Sequence, residues 1–215
     1  MACVLFSRPN DDITLSYLFY YSKELVSESN NLGYKTINKE GKEANKEIII
    51  SVIKKQNPEL IMFNGHGSPT EICGDNEEVI ISVEENPEIL KDSIVYSLSC
   101  SSAFKLGPKS IENGAISFIG YDFEFALGKD SESEASPRHD KIAKLFLEPS
   151  NILFSSLLNK RSVKDSVAKA KKKMEDNINY LHTTDRFPEA IYYAPFLFSN
   201  YLGLVVHGDK EASIN

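Results

Sequence analysis

Cys100 stands in the segment Ser97-Leu98-Ser99-Cys100-Ser101-Ser102, and His66 in Asn64-Gly65-His66-Gly67-Ser68-Pro69. A cysteine and a histidine supply a nucleophile and an acid/base group, the minimum for acyl transfer. The thiolate attacks a carbonyl and the imidazolium protonates the leaving amine. Gly65 and Gly67 leave room for a substrate backbone beside His66. The backbone N–H groups of Gly67 and Cys100 are candidates for an oxyanion hole. Small Ser99, Ser101 and Ser102 keep the thiol accessible, which is not the usual setting of a structural cysteine. A third chemistry-bearing segment is Tyr121-Asp122-Phe123-Glu124. Blander readings stand beside each: a small buried apolar residue for Cys100, a satisfied loop histidine for His66, a solvated carboxylate for Asp122.

The elements around these residues explain why they matter. Leu60-Ile61-Met62-Phe63 and Ser93 to Leu98 are apolar without alternation, which predicts strands buried on both faces. One runs directly into His66 and the other into Cys100. Gly114 to Gly120 predicts a third such strand, ending at Asp122. Ala2 to Ser7 reads as a first strand, Tyr34 to Ile37 as a second, and Tyr201 to Val206 as the last. Amphipathic helices are expected from Asp12 to Asn31, with Asp12 as cap, and from about 42 to 56. Others are expected from His139 to a stop before Pro149, from Pro149 through Leu157, and from Ser162 through Leu181. Glu71 to Asn86 is acidic and is expected to hold a hairpin at Val79 to Val83. Residues 128–138 read as an exposed mobile loop. Strands alternating with helices predict an α/β fold, a mainly parallel sheet with helices on both faces. In such a sheet ligands bind beyond the carboxyl ends of the strands, where His66, Cys100 and Asp122/Glu124 all fall.

The 215 residues fit one α/β domain, and neither a repeat nor a linker divides them. The formal net charge of −7 argues against a dedicated nucleic-acid binder. The basic run Lys169, Lys171, Lys172, Lys173 reads as a solvated helix face. The glycines around His66 are not a phosphate loop, since no Gly-Lys-Ser/Thr follows. Three cysteines, Cys3, Cys73 and Cys100, suggest neither a disulfide framework nor, without a CxxC pair, a zinc site. Cys3 is expected in the core and Cys73 as a loop thiol. His139, His182 and His207 lack the context of His66, although His207 stands beside Gly208-Asp209. No apolar stretch is long enough to span a membrane, and the N-terminus lacks a signal-peptide pattern, so a cytoplasmic location is expected.

A buried strand ending in His-Gly, followed by a buried strand ending in a small residue and Cys, resembles the clan CD cysteine peptidases. These include caspases, legumains, gingipains, separases and CHAT-domain proteases. Asn113-Gly-Ala-Ile-Ser-Phe-Ile-Gly is similar to the strand after the catalytic cysteine in gingipain-like and CHAT members. The stretch from Leu157 to Ala170 resembles their "sv-x-eA" helix, with Ser166 where alanine is common. Tyr201 to Asp209 is similar to their closing strand and Gly-Asp turn. These segments run from about residue 45 to 209 and lie nearer the CHAT and gingipain branch than the caspases.

The resemblance implies a caspase-like three-layer sandwich, with Cys100 as nucleophile and His66 as acid/base. It implies an oxyanion hole from the amides of Gly67 and Cys100, and requires no third triad member, metal or cofactor. Many members bind Arg or Lys before the cut through an acid. Asp122 is the first choice here, since a carboxylate pairs bidentately with Arg; Glu124 and Asp12 are alternatives. The position two before the nucleophile, acidic in some relatives, is Leu98. Members of this size often answer to a regulatory protein partner, and CHAT relatives occur in prokaryotic defence and cell death. Arg138 in the exposed loop is a place for self-cleavage. Two rival readings are a catalytically silent scaffold on the same fold and a thiol amidase or acyltransferase with a small-substrate pocket. The acidic loops favour a polypeptide cleft.

Overall fold

A computed structural model of the chain describes residues 2–130, 133–134, 136–184 and 190–214. Its centre is a six-stranded sheet in the order β2-β1-β3-β7-β8-β9. The strands are β1 (Cys3–Arg8), β2 (Lys35–Glu40), β3 (Leu60–Asn64), β7 (Ile94–Leu98), β8 (Ser117–Tyr121) and β9 (Leu204–Gly208). The first five pair in parallel, and β9 closes one edge antiparallel to β8. A smaller antiparallel sheet follows His66 at once: β4 (Gly67–Ser68), β5 (Glu71–Cys73) and β6 (Val79–Ser82). Val79 to Ser82 is therefore one strand of this sheet, not a hairpin in itself.

The apolar runs are continuous because both faces of the central sheet are covered. Val4, Phe6, Leu60, Met62, Tyr96, Ile119 and Tyr121 pack into one core with α1 (Ile13–Asn31), α4 (Lys141–Leu158), α5 (Val163–Thr183) and α6 (Ala194–Gly203). Leu5, Ile61, Phe63, Val95 and Phe118 face the other way, against α2 (Lys46–Gln56), α3 (Leu106–Glu112) and the small sheet. Neighbouring residues of each strand thus enter opposite cores, as the two-residue period of a strand requires.

Helix starts are set by side-chain caps. Asp12, Asn45, Asp140 and Ser162 each accept a bond from the first turn of α1, α2, α4 and α5. Asp140 also ties the 128–138 segment down. Fully buried, it accepts from the N–H groups of Ile142 and Ala143 through Oδ1, and from the Tyr17 hydroxyl and the Asp130 N–H through Oδ2. Burial and the Asp140 carboxylate push the Tyr17 phenol upward. Within the expected loop 128–138, residues 131, 132 and 135 lie outside the described residues. Arg138 itself is half-exposed and bridges to Glu24 of α1 at 2.5 Å.

Two expectations about helices are corrected. The chain does not break at Pro149, and α4 runs through it from Lys141 to Leu158. Proline has no N–H to give the carbonyl four residues back, that of Leu145. Asn177 of α5 donates to that carbonyl at 2.7 Å, so the gap in the ladder is filled from a neighbouring helix. Second, Tyr201 to Gly203 belong to the end of α6, and the last strand starts at Leu204.

If Asn177 is what allows Pro149 inside α4, Asn177→Ala will leave a carbonyl without a partner and cost about 1–3 kcal/mol of stability in urea unfolding. In a Pro149→Ala background, where the helix supplies its own donor, the same substitution will cost clearly less. Equal costs in both backgrounds would rule the compensation out.

Candidate active site

The strand order reverses between β1 and β3, because β2 lies on one side of β1 and the later strands on the other. In open α/β sheets the loops leaving the carboxyl ends of neighbouring strands part at such a point, where ligands bind. Asp12 follows β1 and His66 follows β3. Cys100 follows β7, the next strand, and Asn64 pairs with Leu98 in the β3–β7 register. His66 and Cys100 each lie two residues beyond that pair, so the parallel register itself delivers them to the same level of the sheet.

The His66 loop is pressed against its neighbours. A Cβ on Gly67 would sit 2.9 Å from Ser99 Cβ and 3.0 Å from the Cys100 carbonyl oxygen, and one on Gly65 would sit 2.2 Å from the Cys73 carbonyl oxygen. Only glycine permits these approaches, and at Gly67 the approach joins the histidine loop to the cysteine turn. The Cys73 N–H donates to the His66 carbonyl at 2.9 Å, which anchors the loop on β5.

The His66 imidazole is held by Asp12, with Nε2 2.5 Å from Asp12 Oδ2. Asp12 Oδ1 accepts the Leu15 N–H at 2.7 Å and closes the N-terminus of α1. Burial works to raise the Asp12 carboxyl, but the Leu15 N–H and the His66 ring outweigh it and hold the group below its ordinary value. Both Asp12 oxygens are engaged within the protein, one by the Leu15 N–H and one by His66. Asp12, expected as an alternative pocket acid, lies against the histidine and gives the Cys100–His66 pair a third member that the sequence did not require. With Nε2 occupied, Nδ1 is the nitrogen left to exchange protons.

Behind this pair lies a buried polar link. The Arg8 guanidinium, at the end of β1, donates to Ser22 Oγ of α1 at 2.8 Å and to the Phe19 carbonyl, and its cationic plane lies over the Phe19 ring. Asn64, at the end of β3, donates to the same Ser22 Oγ at 2.9 Å. The link fixes β1, α1 and β3 to one another, and hence Asp12 to His66. Nothing in the sequence pattern singled out Arg8; the available signal was a charged residue ending an otherwise apolar strand, which must be paired if buried.

Cys100 sits on a tight turn. Ser101 takes a left-handed backbone, with φ +54°, unusual for a residue with a side chain. Beneath it, the hydroxyls of Ser97, Ser99 and Ser102 bond to one another at 2.6–3.0 Å, all buried. Ser99 and Ser102 therefore brace the turn from within, rather than only leaving space around the thiol. The turn is also stitched to the segment after β8: Ser101 N–H donates to the Phe123 carbonyl and Ala103 N–H to that of Tyr121. Burial pushes the Cys100 thiol up, the Phe125 N–H opposes this, and the Glu124 carboxylate adds to it. At neutral pH Cys100 is thus held as a thiol.

Asp122 and Glu124 arrive on that same segment. Glu124 is exposed and close enough to act on Cys100 by its charge. Asp122 has its backbone N–H bonded to the Gly203 carbonyl, and its carboxylate lies 4.0 Å from His207. Cys3 is buried in β1 and Cys73 is half-buried in β5. Among the described residues no cluster of His, Cys, Asp and Glu could hold a metal ion, and no helix is long and apolar enough to cross a membrane.

Two outcomes follow from the thiol's surroundings. Iodoacetamide alkylation of Cys100, read by peptide mass, will rise with pH through and above the ordinary thiol range. Glu124→Gln will remove a charge that disfavours the thiolate and speed the reaction at neutral pH by about twofold to threefold. A rate already at its plateau at pH 6, or slowed by Glu124→Gln, would contradict the account.

Comparison with known proteins bears on the fold. No family model matches the sequence, and no curated protein matches it. The structure is similar to the crystal structure of the Arg-specific cysteine proteinase gingipain R, with TM-score 0.59 and 10% identity over 99% of this chain. It is equally similar to the complex of the pro- and mature domains of Porphyromonas gingivalis RgpB, with TM-score 0.60 and 11% identity over 99% of this chain. The chain spans about half the length of these proteins, 46% and 48%. At such identity the likeness establishes the fold: a mostly parallel six-stranded sheet between helical layers, the caspase-like α/β fold that gingipain R shares.

Proposed function

We propose that this chain is a cysteine endopeptidase acting through Cys100 and His66. The observation that carries the reading is the placement of Cys100 and His66 at matched ends of adjacent parallel strands, with the imidazole held by Asp12. The fold shared with cysteine proteinases supports it.

In the reaction the Cys100 thiol passes its proton to His66 Nδ1, and the thiolate sulfur bonds to the scissile carbonyl carbon. The carbonyl oxygen takes the electron pair and is held by the N–H groups of Gly67 and Cys100. The tetrahedral centre collapses, the C–N bond breaks, and the imidazolium gives its proton to the leaving amine. Water then attacks the thioester, His66 takes its proton, and the thiol is restored as the acid leaves. Because burial favours the neutral thiol, proton transfer to His66 accompanies attack on the carbonyl, the negative charge passes to the carbonyl oxygen at its N–H donors, and Asp12 stabilises the imidazolium as it forms.

Finer features belong to the same proposal. Asp122 is the carboxylate that takes a basic residue before the cut, in line with the printed specificity of gingipain R for Arg; Glu124 lies beside it. A regulatory protein partner, as in a complex of pro- and mature domains, fits a nucleophile that is not charged at rest. Placement near the CHAT branch, a prokaryotic defence or cell-death setting and a cytoplasmic location rest on the sequence motifs.

A fluorogenic peptide library tests this reading. Wild type will cleave, and Cys100→Ala will lose roughly 10³-fold or more of kcat/KM. Asp12→Asn, which keeps the shape but not the charge, will lower kcat about 10- to 100-fold with little change in KM. Cleavage that survives Cys100→Ala would overturn the assignment. Silence of wild type toward both the library and an active-site-directed electrophile would favour the scaffold reading. Turnover of small amides alone would favour the amidase.

A further inference from the structure

The Asp122 carboxylate faces two ways. Its side chain is about a third exposed, 31%, yet Oδ1 is buried and has no hydrogen-bond partner. Across from Oδ1, 4.0 Å away, is Nε2 of His207, itself buried and without a partner. That gap is too long for a hydrogen bond.

The pairing is built into the sheet. His207 lies on β9 opposite Phe118 of β8. By strand alternation Phe118, Gly120 and Asp122 share one face. A Cβ on Gly120 would stand 3.2 Å from the Phe118 ring and 3.3 Å from Ala103 Cβ, so this face of β8 is closely packed up to the strand end that carries Asp122. Gly107 of α3 closes the other side, where a Cβ would stand 2.7 Å from His207 Cδ2. The ring is thereby clamped between β8 and α3, while the stitch from Ser101 N–H to the Phe123 carbonyl holds the Asp122 segment against the Cys100 turn.

Among the described residues, Asp122 is the acid recorded within 4.0 Å of the His207 ring. On α3, Lys109 and Glu112 are exposed and paired with each other at 3.1 Å, and Lys105 is exposed at its start. Beyond β9, Asp209 and Lys210 are exposed.

We propose that His207 is a positioning residue that sets, with pH, whether Asp122 can take a basic substrate side chain. The inference rests on Asp122 as the pocket carboxylate. As a neutral ring His207 leaves the negative charge of Asp122 available to an Arg or Lys side chain entering from the exposed side. As an imidazolium it closes the gap, bonds Oδ1 and neutralises the pocket. Histidines gain their proton between about pH 8 and pH 5, above the ordinary carboxylate range. The preference for a basic residue is therefore full at the alkaline end and lost toward the acid end.

Benzamidine, a small amidinium cation, probes the pocket without catalysis. Its affinity for wild type, by calorimetry, will fall about tenfold between about pH 8 and about pH 5.5. His207→Gln will bind it with little change across that range, and His207→Asn, the smaller replacement, will do the same should the first variant fail to fold. Asp122→Asn will bind weakly at both ends. A fall in His207→Gln equal to that in wild type would overturn the role of His207 and leave Asp122 standing. Full binding by Asp122→Asn, or none by wild type at either pH, would overturn both.

Discussion

One carboxylate closes the first turn of α1 and holds the imidazole of His66. Asp12 gives Oδ1 to the Leu15 N–H and Oδ2 to His66 Nε2. A cap of this kind contributes on the order of 1 kcal/mol to its helix, so the orientation of the histidine is coupled to the folding of α1. The coupling extends inward. Arg8 and Asn64 meet on Ser22 of the same helix, so the ends of β1 and β3 cannot part without breaking a buried bond to Ser22, charge-assisted on the Arg8 side. The crevice at the reversal of strand order comes with any sheet of this topology; these bonds give it fixed walls.

The cysteine side is arranged differently. Its turn is stiffened by the triangle of serine hydroxyls and by the left-handed Ser101, at the cost of some backbone strain. Burial and Glu124 both oppose the thiolate there, and the Phe125 N–H works against them. Under the proposed reaction, rigid geometry with a neutral thiol suits an activity gated by what binds, because the charge develops only as a carbonyl is brought to the oxyanion donors.

Much of this was legible in the sequence. The strands ending at His66, Cys100 and Asp122 announce themselves as unbroken apolar runs that stop at small or polar residues, which is how parallel strands buried on both faces must read. The cap role of Asp12 was legible too, from its place before an amphipathic stretch. Its contact with His66 was not, because that contact joins residues from different strand ends and depends on strand order, which local pattern does not carry. Pro149 shows the same limit: a break follows from proline chemistry alone, but the donor that removes the need for one, Asn177, lies on another helix. Tyr201 to Gly203 were misread because an apolar run has no period by which to tell a buried helix end from a strand.

The central claim is that Cys100 becomes a nucleophile because His66, set by Asp12, takes its proton. Labelling with a peptidyl acyloxymethyl ketone ending in Arg, followed by intact mass and peptide mapping, tests it most directly. The account predicts one adduct, on the Cys100 peptide, slowed strongly in His66→Ala and in Asp12→Asn. Labelling shared evenly among Cys3, Cys73 and Cys100, or labelling of Cys100 at an unchanged rate in His66→Ala, would contradict it.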